Sequence, residues 1–316
     1  MHKLTIGFAS GIIALGVLAF SGIALADSAA IDFESPTYAL GTIHGQDGWS
    51  KTGPYDVEVE SNTFGFPSLG SQTLRISNAI TSGSFGDQTF STSLADEAGE
   101  ADAQASPYSG GTRQNHFEAQ FDFASTMLAE QPGLFMSVSP DRGDGARMSY
   151  LGFDDEAGGI NVIFYDVQGT DNPANFVPTT IATGLSREAV HTAKFVIDFV
   201  DGPSNDIVQI YIDGVLVHTG TTWENYYRFD DESNPLLIDE SRAVDSLLFR
   251  VGGTAAPATS GNGFLVVSVE LSSSSLTTPP TDKNQCKNGG WMTFNNPSYK
   301  NQGQCVAAVV SKSANH

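Results

Sequence analysis

The chain has 316 residues, with 36 acidic and 15 basic side chains, a formal net charge of −21 and two cysteines. That balance disfavours nucleic acid and anionic lipid as partners, because both require clustered Lys and Arg, and it leaves many carboxylates available as oxygen ligands for Ca²⁺ outside the cell. With cysteine confined to Cys286 and Cys305, a thiol enzyme and a Cys₄ zinc site are excluded as well.

Residues 1–26 read as a secretory signal. His2-Lys3 is a short basic start, 6–25 is mostly apolar, and Ala24-Leu25-Ala26 fits a small-residue cleavage site. A membrane anchor is the alternative, because the apolar run is near spanning length; the small residues favour cleavage. No second such run follows, so the mature chain is expected to leave the membrane. Cleavage removes Lys3 and no acid, which takes the net charge to −22.

Trp49 and Tyr55 flank a Gly-Pro turn and are candidate platforms for a sugar ring, with caps on the sandwich edge as the favoured reading for Trp49. Residues 91–111 are acidic and rich in Ser, Gly and Ala, and read as a mobile loop. Strands are expected over 116–123, 133–138, 147–153 and 159–167. The clearest pattern follows over 194–220. Phe195, Ile197 and Phe199 alternate with Lys194, Val196 and Asp198, and Val208, Ile210 and Ile212 alternate with Gln209, Tyr211 and Asp213, the period of two that half-buried strands require. Asp213-Gly214 supplies the positive φ angles of a two-residue hairpin turn. Two further strands are expected over 244–251 and 263–271. The connections carry Gly, Pro, Asp and Asn, and no long amphipathic helix is evident. The expected fold is therefore all-β, an antiparallel β-sandwich or barrel over 27–271. Residues 272–285 open on S-S-S-S-L-T-T-P-P-T-D and read as a linker. Residues 286–316 form a tail in which one disulfide, Cys286 to Cys305, closes a loop and orders a small hairpin.

Three segments carry a resemblance. Ile31-Asp32-Phe33-Glu34, with Gly48-Trp49 soon after, resembles the first strand of concanavalin A-like lectin/glucanase jelly rolls. Tyr211-Ile212-Asp213-Gly214 resembles the laminin G-like branch of that superfamily. Residues 264–271 resemble the closing strand that pairs with the first. The resemblance implies a jelly roll, a fold that hosts lectins, glycanases, lyases and structural modules alike. The tail, with Cys286-Lys287-Asn288-Gly289-Gly290-Trp291, resembles a short C-terminal module of exported bacterial proteins.

Four constellations could carry chemistry. Glu118, Gln120 and Asp122 share one face of a strand, with Phe117, Phe121 and Phe123 on the other. The set resembles the Glu-x-Asp-x-Glu of laminarinase-type glycosidases, but its centre is Gln. Its two acids start about 13 Å apart by strand rise, and inverting hydrolysis wants carboxyls roughly 6.5–9.5 Å apart. A solvated outer face is the favoured reading. Trp223, Tyr226 and Tyr227 form an aromatic loop of the kind that stacks on sugar rings, with Glu118 and Gln120 as polar partners. Asp32, Glu34 and Glu270 could converge on Ca²⁺ if the terminal strands pair, with Asp154-Asp155-Glu156 and Asp230-Asp231-Glu232 as other acidic turns. Arg142-Gly143-Asp144 reads as a tight turn. No cofactor is required, and no catalytic elbow, zinc helix or phosphate loop occurs. The leading expectation is a secreted, non-catalytic sandwich that binds carbohydrate or another extracellular polymer. A hydrolase or lyase using Glu118 and Asp122 is the second, and a structural module without a small ligand is the third.

Overall fold

The computed structural model describes residues 27–101, 103, 110–169, 175–231, 242–252 and 254–313. The expected signal over 1–26 lies outside the described residues.

Two antiparallel sheets face each other across one apolar core. The first has nine strands, in the order β15 (Val215–Gly220), β14 (Ile207–Ile212), β13 (His191–Asp198), β8 (His116–Ser125), β18 (Phe264–Ser274), β5 (Gln72–Ser77), β4 (Asp56–Ser61) and β2 (Gly41–Thr42), with β1 (Asp27–Ile31) also pairing with β18. The second has seven, in the order β12 (Phe176–Leu185), β11 (Gly159–Val167), β10 (Leu151–Glu156), β9 (Phe135–Asp141), β17 (Ser246–Val251), β6 (Gln88–Phe90) and β3 (Ser50–Thr52). A short pair, β7 (Ala98–Gly99) and β16 (Ala243–Val244), lies apart from both.

The alternation dictates the layers. In β8, Phe117, Ala119, Phe121 and Phe123 are fully buried while His116, Glu118, Gln120 and Asp122 are only partly covered. Phe195 and Ile197 of β13 and Val208, Ile210 and Ile212 of β14 join the same core. Phe121 and Phe123 meet rings from the opposite sheet: Phe123 lies 4.8 Å from Phe153, and Phe121 lies 5.8 Å from Phe153 and 6.0 Å from Phe249, all edge-on. Trp49 stacks on Phe249 at 5.8 Å, and the Tyr55 hydroxyl donates to the Phe249 carbonyl at 3.1 Å. Both flanking aromatics are core residues.

The meander and its turn are as the pattern requires. Asp213 and Gly214 have φ of 51° and 75°. The closing strand pairs with the first, Ile31 opposite Val269 and Ala29 opposite Leu271. Other expectations need correction. The strand expected over 147–153 begins at Leu151, because Asp141 gathers the preceding residues into a turn: its Oδ1 accepts the backbone N–H groups of Gly143, Asp144 and Gly145. The expected loop over 91–111 contains Leu94 and Ala98 in the core and a buried Glu97 and Glu100. Strand β12 was not expected. It is an edge strand, carries Pro178, and buries no complete face, so neither periodicity nor composition marks it.

The sandwich runs past 271, since β18 extends through Ser274. The linker then bonds to the sandwich: the Leu276 N–H donates to Asn115 Oδ1 at 2.6 Å, and Asn115 Nδ2 returns to the Leu276 carbonyl at 3.0 Å. The tail is no hairpin. It holds a 3₁₀ turn, Gly290–Thr293, and a helix, Gln302–Ser313. Cys286 and Cys305 are bonded with Cα atoms 5.7 Å apart, and with Tyr299 and Val309 they form a small core of their own.

Two outcomes follow from this architecture. A Cβ at Gly214 would meet nothing within 4 Å, so Gly214→Ala tests the backbone alone and should cost about 1 kcal/mol in urea unfolding through its positive φ. Reducing the disulfide should release roughly 3 kcal/mol of loop constraint from the tail. Amide exchange should then rise in 286–313 while the melting temperature of the sandwich stays within a degree or so; a shared loss would show that the two cores are coupled.

Candidate functional site

The outward faces of the two sheets differ in chemistry. On the nine-stranded sheet, Lys194 Nζ donates to Glu118 at 2.8 Å, and His116 bridges Asp198 at 2.6 Å and Glu118 at 3.4 Å. Burial opposes charge on His116, but the bonds to Asp198 and Glu118 outweigh it and raise the imidazole to about 9. The His116 bond, acting against burial, and Lys194 together bring Glu118 down to about 2. Asp122 accepts from Thr192 Oγ1 at 2.6 Å. Gln120 lies in register between Lys194 and Glu270. Two depressions of about 290 and 510 Å³ meet at Glu118, Gln120 and Lys194. A carboxyl held ionised by two cations has no proton to donate near neutrality, so Glu118 is unsuited to general acid chemistry.

The larger cavity, about 620 Å³, opens elsewhere, on the seven-stranded sheet. Tyr165 projects outward from β11 next to the core residue Phe164, and Tyr150 packs edge-on against it at 4.7 Å. Trp223 lies parallel to Tyr150 at 6.0 Å, meets Phe176 of β12 edge-on at 4.6 Å, and donates its indole N–H to the Tyr165 carbonyl at 2.8 Å. Tyr226 sits 5.3 Å from Phe176 and 5.1 Å from Tyr227. Burial, with the neighbouring Tyr150 and Asp154, raises the Tyr165 hydroxyl above its ordinary range. The turn built on Asp141 delivers Asp144, Gly145 and Arg147 to the same cavity, and β17 delivers Arg250. Burial, helped by the Asp144 charge, raises Asp141 to about 6. The Arg142-Gly143-Asp144 tripeptide is a tight turn, closed by an Arg142–Asp144 ion pair of 2.7 Å.

The sequence grouped Trp223, Tyr226 and Tyr227 with Glu118 and Gln120, but they line different cavities on different sheets. It also read Trp223 as an open platform. Trp223 and Tyr227 are buried and form the back wall, while Tyr150, Tyr165, Phe176 and Tyr226 are the half-exposed rings. Sequence reading missed Tyr150, Tyr165, Phe176, Arg147 and Arg250. The signal available for Tyr165 was strand parity, since it shares the outward side of β11 with Asn161 and Ile163.

The expected calcium ligands do not converge. The first strand ends at Ile31, and Phe33 turns through a φ of 61°, so Asp32 and Glu34 share no strand face. Asp32 accepts the Glu34 N–H at 2.9 Å. Glu34 is bonded by the Ser71 hydroxyl and by the N–H groups of Ser71 and Gln72, and the Ser71 hydroxyl, acting against burial, lowers its pKa. Glu270 belongs to the depression beside Glu118. Asp155 is buried against Arg187. Of Asp230-Asp231-Glu232, Glu232 and the side chains of Asp230 and Asp231 lie outside the described residues. Among the described residues, one carboxylate trio has ligand atoms all within 4.8 Å of one another: Glu100, Asp206 and Glu224, each buried. Glu100 pairs with Arg228 and Arg242, Glu224 Oε1 accepts the N–H groups of Asn205 and Asp206 at 2.8 and 3.1 Å, and burial with the Glu224 charge raises Asp206 to about 7. Glu224 opens the single helical turn Glu224–Tyr226, so this cluster fixes the segment that carries the aromatic wall.

No protein-family model matches the chain, and no curated protein matches it in sequence. Solved structures with a similar chain course include an endo-β-1,4-glucuronan lyase from the fungus Trichoderma reesei, at 14% identity and a TM-score of 0.40 over 74% of this chain and 93% of that one. An alginate lyase from Pseudomonas aeruginosa gives 8% identity and a TM-score of 0.38 over 68% and 85%. A Caenorhabditis elegans galectin gives 11% and 0.28 over 50% and 83%. Likeness at this level says nothing of chemistry, which has to come from the site's own residues.

The ion-pair face generates a pH dependence. The His116 pKa is raised, so its contribution to stability is complete below about 6.5 and is lost as pH rises through about 9. The Glu118 pKa is depressed, so its contribution is present above about 4.5 and is lost as pH falls towards about 2. The urea midpoint should fall between pH 6.5 and 9, and His116→Gln should flatten that fall.

Proposed function

We propose that this chain is a secreted, non-catalytic carbohydrate-binding protein and that the glycan occupies the aromatic cavity of the seven-stranded sheet. One observation carries the reading: four half-exposed rings, Tyr150, Tyr165, Phe176 and Tyr226, converge on a cavity of about 620 Å³ backed by the buried Trp223. Sugar rings offer apolar C–H faces that stack on aromatic rings, and their hydroxyls bond to polar groups at the rim; here Gln88 and Tyr165 line the cavity. Secretion is supported by the signal pattern over 1–26 and by the disulfide, which forms and persists outside reducing compartments. In this reading the sandwich is the binding unit, the tail is an appendage with its own core, and no metal is needed at the cavity.

The alternative, hydrolysis or lysis by Glu118 and Asp122, has less support. Glu118 is committed to His116 and Lys194, and Asp122 to Thr192. The carboxylate that lines the aromatic cavity, Asp144, is engaged by Arg142.

Polysaccharide retention on affinity gels tests the assignment. Tyr226→Ala should weaken retention by roughly two- to tenfold, the worth of one aromatic contact at about 0.5–1.5 kcal/mol, with little change in melting temperature. Trp223→Ala is a poorer probe, because truncating a buried Trp costs about 3–5 kcal/mol of stability. Glu118→Gln should leave retention unchanged. Reducing sugar or unsaturated uronate released by the wild type, and lost with Glu118→Gln, would establish the enzyme instead.

A further inference from the structure

Eight arginines occur in the chain. Six of them, Arg75, Arg113, Arg142, Arg187, Arg228 and Arg242, are ion-paired with carboxylates. Arg147 and Arg250 have no carboxylate within ion-pair distance among the described residues, and both line the aromatic cavity. In a chain with 36 acids and 15 basic side chains, leaving these two guanidinium groups unpaired is a placement that needs a reason.

Their setting supplies one. Both are about 93% buried, at 7% exposure each. Phe85, itself 71% exposed, lies over the Arg250 guanidinium at 4.4 Å and the Arg147 guanidinium at 5.8 Å. Stacking covers the face of a guanidinium and leaves its edge of N–H donors free. Arg250 Nη2 donates to the Ser84 carbonyl at 3.2 Å, while its buried Nε has no partner among the described residues. Asp141 feels the Arg147 charge without pairing with it, and two other acids nearby are already engaged. Asp144 is engaged by Arg142, and Asp87 accepts from the Thr81 and Ser82 hydroxyls and the Ser82 N–H. Burial disfavours the Arg250 cation, Tyr150 partly compensates, and the adjacent Arg147 charge works against it again. An incoming anion would offset the repulsion between the two guanidinium groups.

We infer that the cavity is built for an anionic glycan, with Arg147 and Arg250 gripping a carboxylate or sulfate ester while Tyr150, Phe176 and Tyr226 hold the sugar rings. The inference rests on the glycan-binding reading above and narrows it to a substrate class. A planar fork of donors matches two oxygens of one anionic group, and two forks side by side would space two such groups along a chain or clamp one from both sides.

The test uses the full mature protein and two matched polymer pairs: polygalacturonate against its carboxyl-reduced form, and dextran sulfate against dextran. The wild type should bind one of the anionic polymers at least tenfold more tightly than its neutral counterpart, and the favoured pair identifies carboxylate or sulfate. Arg147→Gln and Arg250→Gln should each weaken that binding by about tenfold or more, the range for a hydrogen bond to a charged group, while leaving binding of neutral polymer within twofold. The matched polymers need no variant, so a misfolded Arg250→Gln does not block the result. Equal binding of charged and neutral polymers, lost with Tyr226→Ala but indifferent to the arginines, would overturn the anion inference and leave the glycan reading standing. Retention of no polymer across a wide polysaccharide panel would overturn the glycan reading and the inference with it.

Discussion

The sandwich depends on one apolar contact, the Phe121–Phe123 pair of β8 set edge-on against Phe153 and Phe249 of the facing sheet. Each sheet has one apolar face, and neither is stable until that face is covered. Edge-on packing suits these four large rings, since the positive edge of one ring meets the negative face of the next. Burying such a ring is worth on the order of 1.5–3 kcal/mol. Because the interior is satisfied this way, the polar residues alternating with the phenylalanines are free to differ from one outward face to the other.

They do differ, and the cause is charge pairing. On the nine-stranded face, acids and bases neighbour each other across strands, so Glu118, Lys194, His116 and Asp198 consume one another's charge. On the seven-stranded face, the cavity is lined mostly by rings, and among the described residues Arg147 and Arg250 have no carboxylate within ion-pair distance. The aromatic wall is held by a further electrostatic device below it. Glu100, Asp206 and Glu224 sit together out of water, an arrangement that would be costly without Arg228, Arg242 and the N–H groups of Asn205 and Asp206. Removing one partner from such a buried set typically costs 3–5 kcal/mol. The cluster thus locks Glu224, and through it the backbone that carries Trp223, Tyr226 and Tyr227. A ligand entering the cavity meets rings already in place and does not have to order them.

The sequence disclosed those parts of the fold whose physics is local. The meander was legible because period-two alternation and Asp213-Gly214 specify strands and turn within a few residues. Strand β8 was legible for the same reason, down to which side Glu118 faces. Strand β12 was not, because an edge strand needs neither a buried face nor consistent alternation. The tail helix was hidden behind its glycines and its cysteine spacing. The site divided along the same line. Trp223, Tyr226 and Tyr227 announced themselves as a cluster, but whether a Trp is a wall or a platform depends on what packs over it, here Tyr150 and Phe176 from elsewhere in the chain. Arg147 and Arg250 stand 103 positions apart by their numbers, and no motif joins them. Their significance lies in having no carboxylate partner among the described residues, a property of three-dimensional placement.

Net charge is a poor guide to what such a cavity accepts. A chain with a formal net charge of −21 repels a polyanion at long range, but at physiological ionic strength that field decays over about 8 Å. Inside a cavity walled by aromatic rings, the near field belongs to the groups that line it, and low polarity strengthens it. Two partly desolvated guanidinium groups therefore set the local potential whatever the surface carries. The acidic exterior has its own consequence: it disfavours anions over the surface at large. An acidic protein with one cationic, ring-lined cavity is in this sense better placed to discriminate than a basic one, whose whole surface would hold an anionic polymer without selecting a site.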